Sequence, residues 1–303
     1  MKIYNEIKNY TGTQPVVLSI GNFDGLHLGH QYLLQKNIDL ALKLGARSAL
    51  LSFNPHPLRV LKPDLLRYPL SLPDEQEIEL ENIGIEDWIR EPFTQKMREE
   101  PPQNFIERLA RSIPLKAVVV GPDFCFGKNR EGDVNMLQAL ASQLNFQLLI
   151  PESYLYQGQR VSSSLIRKAL LNGEVEQAKT FLGKPYTISG EVITGFRRGR
   201  TIGFPTANIK TLGAHNLRRG VYSTIAYVGS KRWKAATNIG LHPTFEESKE
   251  LQVEVHILDF SENIYGEKLK VEFVRFLRPE IKFTDIGSLK SQISKDVQVV
   301  RET

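Results

Sequence analysis

The stretch VVLSIGNFDGLHLGH, residues 16 to 30, decides how the first half of the chain folds. The run Val16–Ile20 is apolar enough to predict a buried strand, and a glycine-containing loop follows it directly. Leu33 and Leu34 then open a stripe of apolar residues at helical spacing, so a helix is expected to begin where the loop ends. A strand, a glycine loop and a helix in this order are typical of a parallel sheet that binds ligands at its loops.

The same alternation continues along the first half of the chain. Apolar runs predict further buried strands at Ser48–Phe53, Ala117–Gly121 and Gln147–Ile150, with a weaker one at Asp87–Ile89. Helices are predicted after Ser71, at Phe105–Ala110, at Met136–Leu144 and, in two short pieces broken at Asn172–Gly173, within Val161–Phe181. Because strands and helices alternate, we expect a doubly wound α/β domain with a mostly parallel sheet covered on both faces.

The composition changes near residues 183–186. Short strand-like runs separated by Gly, Pro and Asn follow at Thr187–Ile193, Val221–Val228, Trp233–Thr237, Leu251–Asp259 and Leu269–Phe276. This spacing predicts an antiparallel β-barrel or sandwich. An apolar stripe from Ile286 to Val297, capped by Thr284 or Asp285, predicts a C-terminal helix. We therefore expect two domains, residues 1–184 and 185–303.

Composition narrows the classes of function. Cys125 is the single cysteine among 303 residues, which excludes an intrachain disulfide and a cysteine-based zinc site. The N-terminus is too polar for a secretory signal, and no stretch approaches the roughly 18 apolar residues of a membrane span, so a cytoplasmic location is expected. The net charge of +5 falls after Lys184, interleaved with apolar residues. Small anionic ligands are therefore favoured over nucleic acid or a membrane.

The loop Gly21–His30 has the composition of a phosphate-binding site. Its glycines let the backbone approach a ligand, and the helix that follows directs free N–H groups at the loop. His27 and His30 are three residues apart, so both can donate hydrogen bonds to a transferring phosphoryl or nucleotidyl group. Two alternatives stay open: the histidines could bind a metal with Asp24, or they could be structural. A dinucleotide loop is disfavoured because G-x-G-x-x-G does not occur here.

A second loop, Gly195–Ile209, is rich in glycine and arginine and ends in a proline turn that carries Thr206 and Asn208. Such a loop suits the β- and γ-phosphates of a nucleotide, and a threonine hydroxyl suits Mg²⁺, although no Walker motif is present. It could equally be a solvated basic loop, a strand-start turn or a nucleic-acid patch. Glu254 and His256 share one face of a predicted strand, where Glu254 by itself is read as an exposed carboxylate.

Together these segments resemble a known family. Gly21–His30 resembles the HxGH signature of nucleotidyltransferases, in the form carried by the bacterial bifunctional riboflavin kinase/FAD synthetase family. Three later segments are similar to this family's P-x-P, DFxFG and SSTxIR motifs: Asn54–Pro57, Gly121–Lys128 and Val161–Arg167. Gly195–Ile209 resembles the GxxGFPTAN signature of riboflavin kinases. The likeness spans nearly the whole chain, and the motifs occur in the family's order.

The resemblance implies a fold and two linked reactions. It implies a Rossmann-like nucleotidyltransferase domain followed by a small antiparallel riboflavin kinase barrel. The barrel would make FMN from riboflavin and ATP, and the first domain would join FMN to ATP, giving FAD and pyrophosphate. ATP, riboflavin and FMN are then the substrates and Mg²⁺ the cofactor. No nucleic-acid or membrane partner is expected, and the oligomeric state stays open.

The resemblance also implies roles for individual residues. Glu254, as general base of the kinase, and His27 with His30, in the adenylyltransferase, would be catalytic. The nucleotide-binding residues would be Gly21, Phe23, Asp24, Gly25, Gly29, Ser163, Arg167, Gly199, Arg200, Gly203, Thr206 and Asn208. Asp123, Phe124 and Phe126 would bind flavin, and Thr206 and Asn208 would bind Mg²⁺.

Two positions depart from the family pattern. Cys125 stands where the DFxFG loop often carries arginine, and Leu165 where the SSTxIR segment often carries a polar residue. The first removes one possible charge contact to flavin or phosphate. Two other functions are weighed against the bifunctional enzyme. One is an adenylyltransferase whose C-terminal barrel only binds flavin; the other is a nucleic-acid-binding protein that uses the basic barrel.

Overall fold

The structure, a computed structural model, describes residues 1–61, 68–195, 199, 202–211, 213–241 and 251–303. It divides into two compact units. The first contains Met1–Arg67 and Leu72–Val161, and the second contains Tyr68–Ser71 and Ser162–Thr303.

The first unit contains a six-stranded sheet in which every pair of neighbouring strands is parallel. Its strands are β1 (Lys2–Tyr4), β2 (Val16–Ile20), β3 (Arg47–Asn54), β4 (Asp87–Pro92), β5 (Leu115–Val119) and β6 (Gln147–Leu149). Their spatial order is β1-β4-β3-β2-β5-β6. A short hairpin, β7 (Leu155–Tyr156) and β8 (Gln159–Arg160), follows. The predicted parallel sheet is confirmed, and β1 is an edge strand that the sequence patterns did not indicate.

The sheet is buried on both faces because its strands are apolar at successive positions. Val16, Leu18 and Ile20 pack into one core cluster, whereas Val17 packs into a cluster on the opposite face. The helices of this unit are α1 (Leu28–Leu44), α2 (Pro57–Leu61), α3 (Pro73–Ile83), α4 (Gln95–Arg98), α5 (Pro102–Ser112) and α6 (Val134–Gln143). The ends of the parallel strands are therefore the places where loops can present ligand-binding groups.

The second unit is built on a closed antiparallel barrel. Its strands are β9 (Thr187–Ile193), β10 (Ala207–Lys210), β11 (Gly220–Val228), β12 (Lys231–Leu241), β13 (Leu251–Ile257) and β14 (Lys268–Arg278). They close in the order β10-β13-β12-β11-β14-β9. Alternate side chains, such as Val253, Val255 and Ile257 of β13, are buried in the interior. The predicted barrel is confirmed, and the short strand β10 is an addition to the predicted set.

Within its described residues, the barrel unit also contains helices. They are α7 (Ser163–Asn172), α8 (Val175–Leu182) and α9 (Ile286–Glu302). The backbone N–H of Arg218 donates to the Leu170 carbonyl oxygen at 3.0 Å, which ties α7 to the segment before β11. Because α7 and α8 pack with the barrel, the compact units divide near residue 161, earlier in the chain than the predicted boundary of the functional domains at 184. That functional boundary stays a prediction.

One buried amide fixes helix α1 to the sheet. Asn37 is fully buried, and its Nδ2 atom lies 3.0 Å from the Val17 carbonyl oxygen, 3.0 Å from Ser19 Oγ and 3.3 Å from the Ala49 carbonyl oxygen. The amide therefore links α1 to both β2 and β3. A buried polar group of this kind is costly without partners, so the contact specifies one position of the helix on the sheet.

We expect Asn37→Leu to lower the free energy of unfolding of the first unit by about 1–3 kcal/mol, because buried acceptors on two strands lose their donor. Urea unfolding at constant pH measures the change. Asn104→Leu is the matched control, since Asn104 is exposed on α5. Equal stability of the Asn37 and Asn104 variants would contradict the anchoring role.

Candidate active sites

The first candidate site forms where β2 runs into α1. The loop between them has positive φ angles at Phe23 (49°), Gly25 (84°) and Leu26 (43°), a conformation that non-glycine residues adopt at a cost. His27 is the N-cap of α1: its Nδ1 atom accepts a hydrogen bond from the His30 backbone N–H at 3.2 Å. The loop is thus held in a strained form that ends in a histidine-capped helix.

The two histidine rings lie against each other. Their centroids are 3.6 Å apart with an interplanar angle of 16°, and the Phe23 ring lies 5.0 Å from that of His30. Gly29 allows this approach, because a β-carbon there would lie 3.2 Å from the His27 ring and 3.3 Å from the Val161 carbonyl oxygen. The structure therefore brings together the predicted residues Phe23, His27, Gly29 and His30.

Both histidines are neutral at physiological pH. Burial, together with the charge of the nearby Arg160 guanidinium, lowers the pKa of His27 from 6.5 to about 4, although a backbone hydrogen bond acts in the opposite direction. Burial holds the pKa of His30 well below its ordinary value, and the charge that His27 gains when protonated lowers it further. Since His27 Nδ1 accepts a hydrogen bond, the proton of the neutral ring is on Nε2. His30 Nδ1 is buried without a hydrogen-bond partner among the described residues.

The remaining predicted residues of this loop are close to the histidines in sequence and are partly or fully buried. Asp24 and Gly25 are buried, and Gly21 adjoins the Phe23 ring, which a β-carbon at Gly21 would approach to 2.9 Å. The chain offers no group of three or more His, Cys, Asp or Glu side chains suited to a metal, within the residues that the structure describes.

Ser163 and Arg167 lie one helical turn apart on α7, in the second unit. The Arg167 guanidinium donates to the Ser163 carbonyl oxygen at 3.4 Å and to the Tyr68 carbonyl oxygen at 3.1 Å. Ser162 caps the helix by accepting from the Leu165 N–H at 3.3 Å. Leu165 therefore takes part in the cap through its backbone, which does not depend on its side chain.

The predicted flavin residues lie on the loop after β5. Asp123 is exposed and forms an ion pair with Arg160 at 2.6 Å. The Phe124 and Phe126 rings stack at 5.4 Å, and Phe126 also lies 6.3 Å from the Phe105 ring within the core. Phe126 is buried and serves packing, so Phe124 is the ring of this pair that keeps accessible surface. Flavin binding by this loop stays a prediction.

The second candidate site begins at a tight glycine turn before β10. The Gly199 carbonyl oxygen accepts from the Phe204 N–H at 2.8 Å and from the Ile202 N–H at 3.3 Å. A β-carbon at Gly199 would collide with the Phe204 carbonyl oxygen, and Gly203 has a φ of 91°, so both positions require glycine. Arg200, also predicted to bind nucleotide, lies outside the described residues.

The barrel register places the predicted base beside a predicted metal ligand. Asn208 of β10 is directly opposite Glu254 of β13, and Asn238 of β12 is opposite Glu254 on the other side. Side chains in such positions lie on the same face, with β-carbons about 4.5–5.5 Å apart. Because Val253 and Val255 point into the barrel, Glu254 points outward. The turn that carries Thr206 leads directly into β10, so Thr206 comes just before this row of Asn208, Glu254 and Asn238.

A cavity of about 390 Å³ lies over this row. Gly199, Thr206, Asn238 and Glu254 contribute to its polar wall. Its apolar residues Ile281, Phe283, Leu289 and Ile293 come from the segment after β14 and from α9, and the charged residues Arg278, Glu280 and Asp296 line the cavity beside them. The cavity can therefore hold a molecule with one polar and one apolar part.

His256 contacts the turn that precedes β10. Its Nδ1 atom lies 2.8 Å from the Pro205 carbonyl oxygen, and since a carbonyl can only accept, His256 donates. The contact fixes the turn that carries Thr206. Gln252, two residues before Glu254, is a site residue that sequence reasoning missed: it lines the cavity and contacts both Asn208 and Glu254. The alternation of the strand was the signal that could have found it.

The parallel-sheet unit and the closed barrel define a chain that joins a nucleotidyltransferase-type domain to a kinase-type barrel. Comparison with known families agrees with this class. Residues 10–165 match the family model described as FAD synthetase, and residues 182–303 match the model described as riboflavin kinase. The chain belongs to the bifunctional riboflavin kinase/FMN adenylyltransferase family, which confirms the resemblance found in the sequence.

Several relatives carry that family name over nearly their whole length. The protein of Haemophilus influenzae is 38% identical over 95% of this chain and 94% of its own length. The Listeria monocytogenes protein is 36% identical over 94% of this chain and 91% of its own, and the Escherichia coli K12 protein is 34% identical over 100% and 97%.

A solved structure shares the whole fold. The crystal structure described as a macrolide-efflux protein from Streptococcus pneumoniae is 28% identical, with a TM-score of 0.87 over 99% of this chain and 98% of its own.

In the described part of the chain, every helix is too short or too polar to cross a membrane.

The depressed pKa of His27 gives a prediction about stability. The unfolded chain binds a proton on this ring near pH 6.5 and the folded chain only near pH 4, so the unfolded state gains protons first as the pH falls. The contribution of His27 to the free energy of unfolding is therefore complete above pH 6.5 and is lost as the pH falls. Between pH 7 and 4 we expect this loss to be roughly 3 kcal/mol.

We expect His27→Asn, which keeps a side-chain cap acceptor but does not titrate, to weaken this pH dependence by a similar amount. Urea unfolding of both proteins at a series of pH values between 7 and 4 measures it. Parallel stability curves for the two proteins would show that His27 is not the source of the effect.

Proposed function

We propose that this chain phosphorylates riboflavin at the barrel site and adenylylates the resulting FMN at the histidine site. The placement of Glu254 directly opposite Asn208, at a cavity beside a glycine turn, is the observation that carries the first reaction. The second reaction is supported by His27, which caps α1, and by the neutral state of both His27 and His30. We also propose that the functional domains are 1–184 and 185–303, and that the protein works in the cytoplasm.

In the kinase reaction the nucleophile is an alcohol, the terminal hydroxyl of the ribityl chain. It must lose a proton as it attacks the γ-phosphorus of ATP, so a positioned base is needed. Glu254 faces the cavity and takes this role in the proposal. The apolar wall of the same cavity suits the flavin ring. The glycines of the turn at Gly199 and Gly203 suit a close approach of phosphates to the backbone.

The barrel site fits Mg²⁺ by the chemistry of its donors. Thr206 and Asn208 offer neutral oxygens and Glu254 an anionic one, which is the oxygen set that Mg²⁺ prefers. Gly195 provides room, because a β-carbon there would collide with the Asn208 amide. We propose that Thr206 and Asn208 hold the ion together with the phosphates of ATP. When bound, Mg²⁺ neutralises phosphate charge during transfer.

In the adenylyltransferase reaction the nucleophile is the phosphate of FMN, which is already anionic, so a general base is unnecessary. The site must instead align two anions and stabilise charge at the α-phosphate. His27 presents Nε2–H as a neutral donor, fixed in direction by its helix-capping contact. The hydrogen bond from a fixed neutral donor becomes stronger as negative charge develops on the phosphate in the transition state. The donor does not have to move to form it, so no free energy is spent on reorganising the site. Ser163 and Arg167 are proposed to bind ATP, and Asp123, Phe124 and Phe126 to bind flavin.

We expect Glu254→Gln to slow riboflavin phosphorylation by about 10²–10⁴-fold, because the general base is lost while the shape of the side chain is kept. Chromatography of FMN formed from riboflavin and Mg-ATP measures it. The adenylylation of added FMN by the same preparation is the internal control and should stay at the wild-type rate. Full-speed phosphorylation by the variant would place the base elsewhere.

We expect His30→Ala to slow FMN adenylylation by about a hundredfold or more, because one lost donor of this kind raises the barrier by ~2.7–4 kcal/mol. The measurement is FAD formed from added FMN and Mg-ATP. Riboflavin phosphorylation by the variant is the control and should be unchanged. Near wild-type FAD synthesis would remove His30 from the mechanism.

The unmodified protein decides among the three functions. Incubation with riboflavin and Mg-ATP should yield FMN first and FAD later. FAD from added FMN, without any FMN from riboflavin, would instead favour an adenylyltransferase with a non-catalytic flavin-binding barrel. Absence of both products, with steeply salt-dependent binding of nucleic acid, would favour the third function.

A further inference from the structure

We propose that Gln252 is a positioning residue of the barrel site, whose side-chain amide orients Asn208 and Glu254 together. The inference rests on the proposed riboflavin kinase function. Gln252 and Glu254 are two residues apart on β13, so their side chains leave the same face of the strand. Both line the cavity.

The contacts of Gln252 join the two functional side chains directly. Its Nε2 atom donates to Asn208 Oδ1 at 2.7 Å and to Glu254 Oε1 at 3.3 Å. An amide nitrogen carries two hydrogens, so one group can serve both acceptors. The contact to Asn208 has the geometry of a good hydrogen bond, and the contact to Glu254 is longer but is assisted by the charge of the carboxylate.

The contact to Asn208 settles which end of that amide faces which way. The oxygen and nitrogen of an asparagine side chain have nearly the same size, so packing alone barely distinguishes the two orientations. The Glu254 carboxylate can only accept, so the nitrogen of the Gln252 amide is the end that faces it. That nitrogen in turn selects the Asn208 orientation in which Oδ1 faces β13 and Nδ2 faces Gly195. The turned orientation would replace a metal-binding oxygen by a nitrogen that cannot bind a metal.

The contact to Glu254 limits the freedom of the proposed base. Strand β12 places Gly240 directly opposite Gln252, so the residue paired with Gln252 across the strands has no side chain. A β-carbon built at Gly240 would meet Glu280 Oε1, which cannot donate, and Asn238 Nδ2 at 3.4 Å, an amide of the residue paired with Glu254. Gln252 thus holds a metal ligand and a base at a fixed separation, as the partners behind metal ligands commonly do.

The test compares Gln252→Met, which nearly keeps the volume but removes the donor, with Gln298→Met as the matched control. Gln298 is exposed on α9 and donates to Glu302 at 2.7 Å, away from the cavity. We expect Gln252→Met to raise the Mg²⁺ concentration that half-saturates riboflavin phosphorylation, or to lower kcat, by 10–100-fold in total. The KM for riboflavin should change less than the Mg²⁺ dependence, because the proposed flavin contacts come from the apolar residues of the cavity.

A binding measurement without turnover supports the assignment. Calorimetric titration with Mg-ATP in the absence of flavin should show one of two nucleotide-binding steps weakened in Gln252→Met, with the other unchanged. Titration with ATP and a chelator should not distinguish the variant from wild type, because the effect passes through the metal ligand. Gln252→Glu, with the same shape but without the donor, should lose at least as much as Gln252→Met and serves if the methionine variant does not fold.

The possible outcomes distinguish a failure of the positioning role of Gln252 from a failure of the proposed riboflavin kinase function. If the wild-type protein forms no FMN from riboflavin, the proposed kinase function fails. If the wild type is active while Gln252→Met and Gln252→Glu keep its Mg²⁺ dependence, kcat and Mg-ATP affinity, the positioning role fails and the function stands. Equal losses in Gln298→Met, or a parallel loss of FMN adenylylation in Gln252→Met, would mean general destabilisation and also overturn the role.

Discussion

The pairing register of β13 is the constraint on which the barrel site depends. A slip of one residue would turn Glu254 and Gln252 into the barrel and expose Val253 and Val255. Burial of each such valine contributes about 1.5–3 kcal/mol, and the polar side chains would lose their partners. The apolar interior therefore fixes the position of the polar face outside it. The alignment of Asn208 with Glu254 is a consequence of packing on the other side of the strand.

In the first unit, the proposed functional histidines are positioned by the start of helix α1. In the barrel, the corresponding groups are positioned by the pairing register of a strand. Asn37 fixes α1 on the sheet, and the His30 N–H fixes the ring of His27. Burial then keeps both rings uncharged. A neutral donor is weaker than an imidazolium, but its direction is set before a substrate arrives. Loop strain at Phe23 and Leu26 is tolerated because the buried sheet and helix on either side over-determine the loop.

Elements that carry their own hydrophobic pattern could be predicted from the sequence. Strands Val16–Ile20 and Thr187–Ile193 have the bounds that periodicity indicates. Lys2–Tyr4 and Ala207–Lys210 were missed because each is short and is defined by its neighbour strand rather than by its own alternation. The histidine pair is indicated by its spacing along a helix, and alternation on the strand places Gln252 on the face of Glu254. The contact from Gln252 to Asn208 is not indicated by the sequence, because the two residues are 44 positions apart. The assignment of α7 and α8 to the barrel unit likewise rests on contacts distant in sequence.

The two proposed reactions make opposite demands on charge, which explains two sites in one chain. A carboxylate base suits an alcohol nucleophile, but beside the phosphate of FMN it would repel the attacking group. Neutral histidines suit an anionic nucleophile, yet their depressed pKa values leave them too weakly basic to remove a proton from an alcohol. A single pocket could not meet both demands with fixed side chains. Separate units allow each site to be preorganised for its own nucleophile, so the loss of one group is expected to affect one reaction and spare the other.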